Sequence, residues 1–360
     1  PATPSDRRAL NQKIYEQKLE SRVPARPTTD CEWLDELMQT SGRFNEEACE
    51  KLQSRITPEE LSRVYKELKP GTAPGPSGAT YKRWKHGCET FQEHTVAFLN
   101  QVLDTGEIPE TLSHGLVYPI PKDPALPCHT TNSRPLTMLE TGLKLLSHII
   151  SNRLLDAMAS APVLAPTQYA FMYGMNIMDP VQTVEMVQER ARATKNTRGM
   201  KALHMAFLDL TQAYDRTEFW ASDMALERLN VPERIRKLMR SLDTTATRSL
   251  ATRDGATDTW TPTCGIPQGE ILSPFRFVAL MDMLATWLTI RCNKGNPGKK
   301  EQGYCMPAPN GALAALGQPD PGAHAPSHTR VHSMIYCDDI CLMADSREDL
   351  QDMLGVVSES

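Results

Sequence analysis

Near its C-terminal end the chain reads Met334-Ile335-Tyr336-Cys337-Asp338-Asp339-Ile340-Cys341-Leu342-Met343, two apolar half-strands meeting at a pair of aspartates. Apolar stretches on both sides predict a buried β-hairpin with the acids at its tip. Adjacent carboxylates there are costly unless positive charge sits on them. A divalent ion carrying an incoming phosphate answers that cost, because hard oxygen ligands suit Mg²⁺. Read alone, Asp-Asp is a solvated turn. A second acidic centre upstream changes the reading.

That centre lies in Ala206-Phe207-Leu208-Asp209-Leu210-Thr211-Gln212-Ala213-Tyr214-Asp215. The apolar run over 202–208 reads as a buried strand delivering Asp209 at its end. One strand-end carboxylate and one hairpin-tip pair are the donors of a two-metal site for in-line displacement at phosphorus. One ion would activate a 3′-hydroxyl, and the other would hold a triphosphate and its leaving pyrophosphate. Between the two centres runs Gly265-Ile266-Pro267-Gln268-Gly269-Glu270-Ile271-Leu272-Ser273-Pro274, a Gly/Pro turn entering a helix. Ser273 is the expected N-cap and Pro274 the first helical residue. Backbone at Gly269 that approaches a ligand closely, followed by a helix N-terminus, suits a polyanion or a base pair.

These centres need elements to hold them. Thr57-Pro58-Glu59-Glu60 is a capping box opening a helix whose apolar face is Leu61, Val64, Tyr65 and Leu68. Further helices are expected over 90–103, stopping near Gly106, and over 139–158, 180–193, 218–230, 233–241 and 274–292. A short strand is expected over 116–120. Residues 1–56 are polar and Pro-bearing and read as a helical or partly ordered extension. The segment 293–329, with many Gly, Pro and Ala residues and no periodicity, reads as a long surface loop. His324, His328 and His332 recur at every fourth position, but Pro326 denies them a common helical face.

The chain has 360 residues, 40% hydrophobic and 23% charged, enough to bury a full core. No apolar run approaches the ~20 residues of a membrane span. Nine cysteines without a Cys-x-x-Cys pair read as reduced thiols of an intracellular protein, nuclear, cytoplasmic or organellar. The net charge of −5 is unusual for a nucleic-acid partner, so local stripes matter more than the sum. Arg7, Arg8, Lys13, Lys18, Arg22 and Arg26 make the first segment basic. Lys66, Lys69, Lys82, Arg83, Lys85, Lys122, Arg134, Lys144 and Arg153 add cations further along. The chain starts at Pro1 without an apolar signal core, as expected of a piece of a longer polypeptide.

In this order the three acidic and Gly-rich blocks resemble motifs A, B and C of a reverse transcriptase. Upstream, Lys69-Pro70-Gly71-Thr72-Ala73-Pro74-Gly75-Pro76-Ser77-Gly78 resembles the K-A-P-G-P-D-G element of non-LTR retrotransposon and group II intron enzymes. Val117-Tyr118-Pro119-Ile120-Pro121-Lys122 and Asn132-Ser133-Arg134-Pro135-Leu136 resemble their h-I-P-K and Y-R-P-I blocks. The stretch from Leu143 to Leu154 is similar to K-I-L-S-K-I-L-A-N-R-L, and Gln168-Tyr169-Ala170-Phe171 stands where they carry Q-x-G-F. The resemblance covers residues 60–355. It departs where the family often reads G-F-R-x-G-R, because Ala170, Met172 and Met175 replace a Gly and two Arg that would face template phosphate.

The resemblance implies an α+β fold of the right-hand polymerase type, an antiparallel palm sheet with packed helices. Fingers are expected over 57–200 and a palm over 201–360. Too few residues follow Asp345 for a further palm helix, primer grip or thumb. It implies a metal set of Asp209, Asp338, Asp339 and the Leu210 carbonyl for two Mg²⁺ ions, with Mn²⁺ as an alternative. Lys122 and Arg134 would bind the triphosphate, Gln268 and Gly269 would lie beside the nascent base pair, and Tyr214 would sit beneath the deoxyribose. The implied partners are an RNA template, a DNA primer, dNTPs and the remaining domains of a longer polypeptide, with no membrane.

Other readings stand beside this one. An RNA-dependent RNA polymerase shares the palm, but places an Asp five positions after the first acid, where this chain has Tyr214, and usually a Gly at the position of Cys337. A non-catalytic scaffold descended from a polymerase would have no reason to keep Asp209, Asp338 and Asp339. Parentage is open between retrotransposon and intron, with Asp209-Leu210-Thr211-Gln212-Ala213-Tyr214-Asp215 and Leu226-Glu227-Arg228-Leu229-Asn230-Val231-Pro232 resembling the former.

Overall fold

In the computed structural model Thr57 opens its helix as the capping box predicts, accepting the amide of Glu60 while the Glu60 carboxylate accepts that of Thr57. The structure describes residues 3–20, 32–40, 42–69, 71–125, 132–160, 162–171, 174–194, 201–294, 301–307 and 328–359. Its strands are β1 His114–Pro121, β2 Ser133–Met138, β3 His204–Asp209, β4 Thr247–Thr252, β5 Gly255–Ala256, β6 Tyr304–Pro307, β7 His328–Val331, β8 Ser333–Tyr336 and β9 Asp339–Ala344. The chain divides into two compact units that interleave in sequence, Pro1–Val163 with Gln212–Leu280, and Leu164–Thr211 with Met281–Ser360.

The first unit carries a sheet in the order β2-β1-β4-β5, with β1 antiparallel to β2 and parallel to β4. Its longest described helix before β3, Thr141–Ser160, is apolar nearly all round and correspondingly buried. The sequence block ending in Gly75-Pro76-Ser77 wraps the start of this helix. A Cβ on Gly75 would lie 2.5 Å from the Leu139 carbonyl oxygen, so only glycine permits the approach. Ser77 donates its amide and hydroxyl to the Glu140 carboxylate at 2.8 and 2.6 Å.

Several cations read from the sequence as candidates for a nucleic-acid stripe are structural instead. Lys144 is 5% exposed and donates to the Ala73 carbonyl, and burial lowers its pKa. Arg153, 3% exposed, pairs with Glu60 at 2.7 Å and donates to the carbonyls of Leu52, Ser54 and Arg55. A charge so spent is unavailable to nucleic acid. In the N-terminal segment Arg7 pairs with Asp254 at 3.0 Å and Arg8 donates to the Asp254 carbonyl. That segment is helical over Pro4–Lys18, Glu32–Met38 and Glu46–Gln53, and it buries Tyr15, Leu37, Phe44 and Leu52 in the unit's core. Arg22 and Arg26 lie outside the described residues.

The second unit is built on a sheet in the order β3-β9-β8, extended on the β8 side where Tyr169 donates to the Ile335 carbonyl and Ile335 to that of Thr167. The Gln168–Phe171 block therefore pairs with the first strand of the Asp-Asp hairpin. The helices Met178–Thr194 and Arg347–Glu359 contact the sheet, the latter along β9 and β3. Three expectations are corrected here. The run over 202–208 is not a buried strand: β3 begins at His204, lies at the sheet edge, and leaves Phe207 68% exposed. The residues after Asp345 do accommodate a helix, of 13 residues. The segment read as a featureless loop contains β6, which pairs with β7 and buries Tyr304 among Val187, Met334, Cys341 and Met343. Within it, His324 and Pro326 lie outside the described residues.

Candidate active site

The acidic centre belongs wholly to the second unit. β3 and β9 run antiparallel with Asp209 directly opposite Asp339, which places their Cβ atoms about 5 Å apart. β8 and β9 pair from Tyr336 opposite Asp339, so Cys337 and Asp338 form the tip of a two-residue hairpin. Such tight turns use positive φ at the first central residue, normally a glycine. Cys337 takes this position at φ +55°, a left-handed conformation in which a side chain is strained. Ile340, Leu342 and Ala344 are buried beyond the acids, and Ser333, Met334 and Ile335 are buried on β8, as the apolar half-strands predict.

Asp209 and Asp339 are exposed and Asp338 is half-buried. Partial burial, and then the Asp338 and Asp209 carboxylates, push the Asp339 carboxyl above its usual range. Burial and the two aspartates raise the Cys337 thiol to about 11, which keeps it neutral at the tip. Among the described residues no three His, Cys, Asp or Glu side chains are gathered into a finished metal shell. Backbone register brings the three acids to one strand end, and their carboxylates would turn inward to enclose an ion. Oxygen-only donors that repel one another are a chemistry that a hard divalent cation satisfies. Leu210 follows Asp209 just past the end of β3.

In the first unit the structure brings together the other sequence-selected residues in two groups. Lys122 continues the β1–β2 ladder, its amide donating to the Asn132 carbonyl, and Arg134 is opposite Ile120. Both cations are exposed. Strand alternation puts Tyr118, Ile120 and Lys122 on one face of β1, and both Tyr118 and Ile120 are 44% exposed. The hairpin end thus presents two cations beside an aromatic and an aliphatic side chain.

The second group surrounds the Gly265–Ser273 turn. Gly265 and Ile266 donate to the carbonyls of Thr217 and Tyr214 at 2.8 Å each, and the Gln268 carbonyl accepts the Thr137 amide at 2.7 Å. Gly269 has φ +99°, and a Cβ there would lie 3.0 Å from the Thr137 oxygen. The Gln268 side chain donates to Asp215, which is 4% exposed, at 3.2 Å. Asp215, one residue after Tyr214, is the anchor of Gln268, a role that no local signal in the sequence marks. Tyr214 is half-buried and stacks on Phe277 at 4.5 Å, so one ring face is engaged with the helix Ser273–Lys294. A cavity of about 20 Å³ lined by Pro135, Thr137, Asp215 and Gln268 lies nearby, and Tyr214 is not part of its wall.

Ser273 does not act as the expected N-cap. It is the first helical residue, and its hydroxyl donates backward to the Pro267 carbonyl at 2.8 Å and to Glu270 at 3.2 Å. Of the positions where the family pattern has Gly and Arg, Ala170 is fully buried and Met175 is 48% exposed, and Met172 lies outside the described residues. No helix among the described residues is long and apolar enough to cross a membrane.

Comparison with known proteins places the chain among mobile-element proteins by similarity. The chain is 24% identical over 288 residues to the retrovirus-related Pol polyprotein from type-1 retrotransposable element R2 of Nasonia vitripennis, covering 79% of this chain and 23% of that protein. It is 29% identical over 208 residues to the transposon TX1 uncharacterized 149 kDa protein of Xenopus laevis, covering 57% and 15%. It is 24% identical over 223 residues to the RNA-directed DNA polymerase from mobile element jockey of Drosophila melanogaster, covering 61% and 24%. The chain therefore spans a quarter or less of the length of these relatives. The family described as reverse transcriptase (RNA-dependent DNA polymerase) matches residues 120–360, a span that takes in the opposed Asp209 and Asp339, the hairpin-tip Asp338 and the Pro-Gln-Gly turn, and the chain belongs to that family.

Proposed function

We propose that this chain is the catalytic portion of a retrotransposon polymerase that extends a DNA primer along an RNA template with deoxynucleoside triphosphates. The observation that carries the reading is the register that sets Asp209 opposite Asp339 with Asp338 at the adjoining tip. Asp209 and Asp338, assisted by Asp339 and the Leu210 carbonyl, would hold two divalent ions, Mg²⁺ or Mn²⁺. When bound, such ions supply activation of the primer hydroxyl and neutralisation of the triphosphate and its leaving group.

The chain's own residues do the rest. Lys122 contributes a compact charge and Arg134 a forked guanidinium for phosphate oxygens. Gln268, fixed through Asp215 and β2, reads the sugar and the nascent pair. Tyr214, pinned by its stack on Phe277, presents a rigid ring that excludes a 2′-hydroxyl. In polymerase terms, the β1–β2 hairpin belongs to the fingers and the β3-β9-β8 sheet to the palm. We read the chain as part of a longer polyprotein, as the R2 relative is named.

The test is primer extension on an RNA template by the full-length protein and its Asp338→Asn variant. Carboxylate loss should lower the rate by at least a thousandfold, about 4 kcal/mol of barrier, with an unchanged melting profile. Extension at the unaltered rate would reject the assignment.

A further inference from the structure

Beneath the Gly265–Ser273 turn the first unit buries four ionisable side chains. Arg276 is 1% exposed, Asp243 3%, Glu270 4% and Arg248 5%. Arg276 and Asp243 form a bidentate pair at 2.9 and 2.5 Å, and Arg276 Nε donates to Ser222 at 3.1 Å. Arg248 donates to the main-chain carbonyls of Ser113 and Thr247 at 3.4 and 3.1 Å, contacts that supply no countercharge. Glu270 accepts the Ser273 hydroxyl on Oε2 at 3.2 Å, while its buried Oε1 has no hydrogen-bond partner among the described residues. A cavity of about 10 Å³, bounded by Ser113, Arg248, Pro267, Glu270 and Arg276, adjoins these groups. It has room for at most one water.

The charges balance only as a set of four. Asp243 is paired with Arg276, and against the burial that disfavours the Arg248 charge stand first Asp243 and then Glu270, so the second arginine's charge is offset only when Glu270 is counted. In a dry interior an unbalanced guanidinium is far more costly than the same group in water. Glu270 directly follows Gly269, and its amide and the Ser273 hydroxyl both reach the Pro267 carbonyl. The turn is thus hydrogen-bonded above through Gln268 to β2, and below it Glu270 lines the same cavity as Arg248 and Arg276.

We propose that Glu270 is a positioning residue for the turn: its buried carboxylate balances Arg248 and thereby holds Gln268 and Gly269 against β2. The consequence for nucleotide use rests on the polymerase reading, whereas the consequence for the turn does not. With Glu270→Gln the shape is kept and the set carries one uncompensated positive charge. The turn is the part that responds, because Glu270 is one of its own residues and lies between Gly269 and Ser273.

The experiment compares Glu270→Gln, Arg248→Met and the double variant in the full-length protein. It measures hydrogen exchange over residues 265–273, together with KM for dNTP and kcat in primer extension. Each single variant should exchange the turn amides at least tenfold faster and raise KM for dNTP several-fold more than it lowers kcat. The double variant, neutral again, should recover most of both. Should a single variant not fold, folding of the double variant is the same rescue. Unchanged exchange in Glu270→Gln, or a double variant no better than the singles, would overturn the proposal. Rescue of exchange in a protein that never extends a primer would sink the polymerase reading and leave the positioning role standing.

Discussion

His332 offers a pH dependence whose size follows from its surroundings. It lies between β7 and β8, 7% exposed, with Nδ1 2.8 Å from the Ser333 hydroxyl and its carbonyl accepting the Met343 amide. Burial lowers its pKa from 6.5 to about 4. The unfolded chain takes up the imidazole proton near its ordinary value, the folded chain only near the lower one. Between the two the unfolded state binds more protons, so stability falls as pH falls. With these two values the loss relative to neutral pH is about 1.4 kcal/mol at pH ~5.5 and about 2.5 kcal/mol at pH ~4.5. Above pH ~7 the imidazole is neutral in both states and contributes no slope. His332→Gln keeps a polar contact for Ser333 and cannot titrate. Urea unfolding of both proteins at about pH 7.5, 5.5 and 4.5 isolates the histidine's contribution, since carboxylates titrating in the same range cancel in the comparison. The native protein's advantage over the variant should shrink by about 2.5 kcal/mol across that range. Parallel stability curves for the two proteins would refute the reasoning.

Further outcomes follow from particular contacts. Tyr214→Ala should raise ribonucleotide use relative to deoxynucleotide use by tenfold or more, each ~1.4 kcal/mol of relieved clash being tenfold; an equal fall in both would make Tyr214 a packing residue only. Arg153→Met should lower unfolding free energy by about 2–4 kcal/mol, because it leaves the carbonyls of Leu52, Ser54 and Arg55 without their donor and takes the partner from a partly exposed Glu60; a loss below ~1 kcal/mol in a urea titration would contradict a structural role for this arginine. Gly75→Ala should cost about 1–3 kcal/mol, since its Cβ would sit 2.5 Å from Leu139 oxygen and 2.6 Å from Glu140 Cα; an unchanged melting temperature would show that the collar can shift.

Elements with local causes were legible in the chain. The capping box at Thr57, the left-handed Gly106 that ends the helix Glu89–Thr105, and the apolar half-strands around Asp338 each depend on residues a few positions apart. The exposure of Phe207 was not legible because a nearly continuous apolar run reads alike at a sheet edge and in its middle, and β3 pairs with β9 alone. Tyr304 was hidden for a related reason: a four-residue strand has too short a period to announce itself, and its partner β7 begins more than twenty residues later. Arg276 did leave a trace, as a lone cation amid Phe275, Phe277 and Val278, a place that requires a buried acid. Nothing local said that the acid would be Asp243.

The sequence by itself determined the chemistry on offer: a strand-end acid, an acid pair at a hairpin tip, and a glycine-bearing turn between them, in an order that names the family. These features survive because they are written in residue types and short spacings. Only the tertiary structure decided which charges are spent inside. It took Lys144, Arg153, Arg248 and Glu270 out of contact with solvent, put Asp209 in register with Asp339, and set Tyr214 against Phe277. Burial and countercharge depend on partners that meet only when distant segments pack, and in a low-dielectric interior that meeting fixes whether a charged side chain binds a ligand or holds the fold.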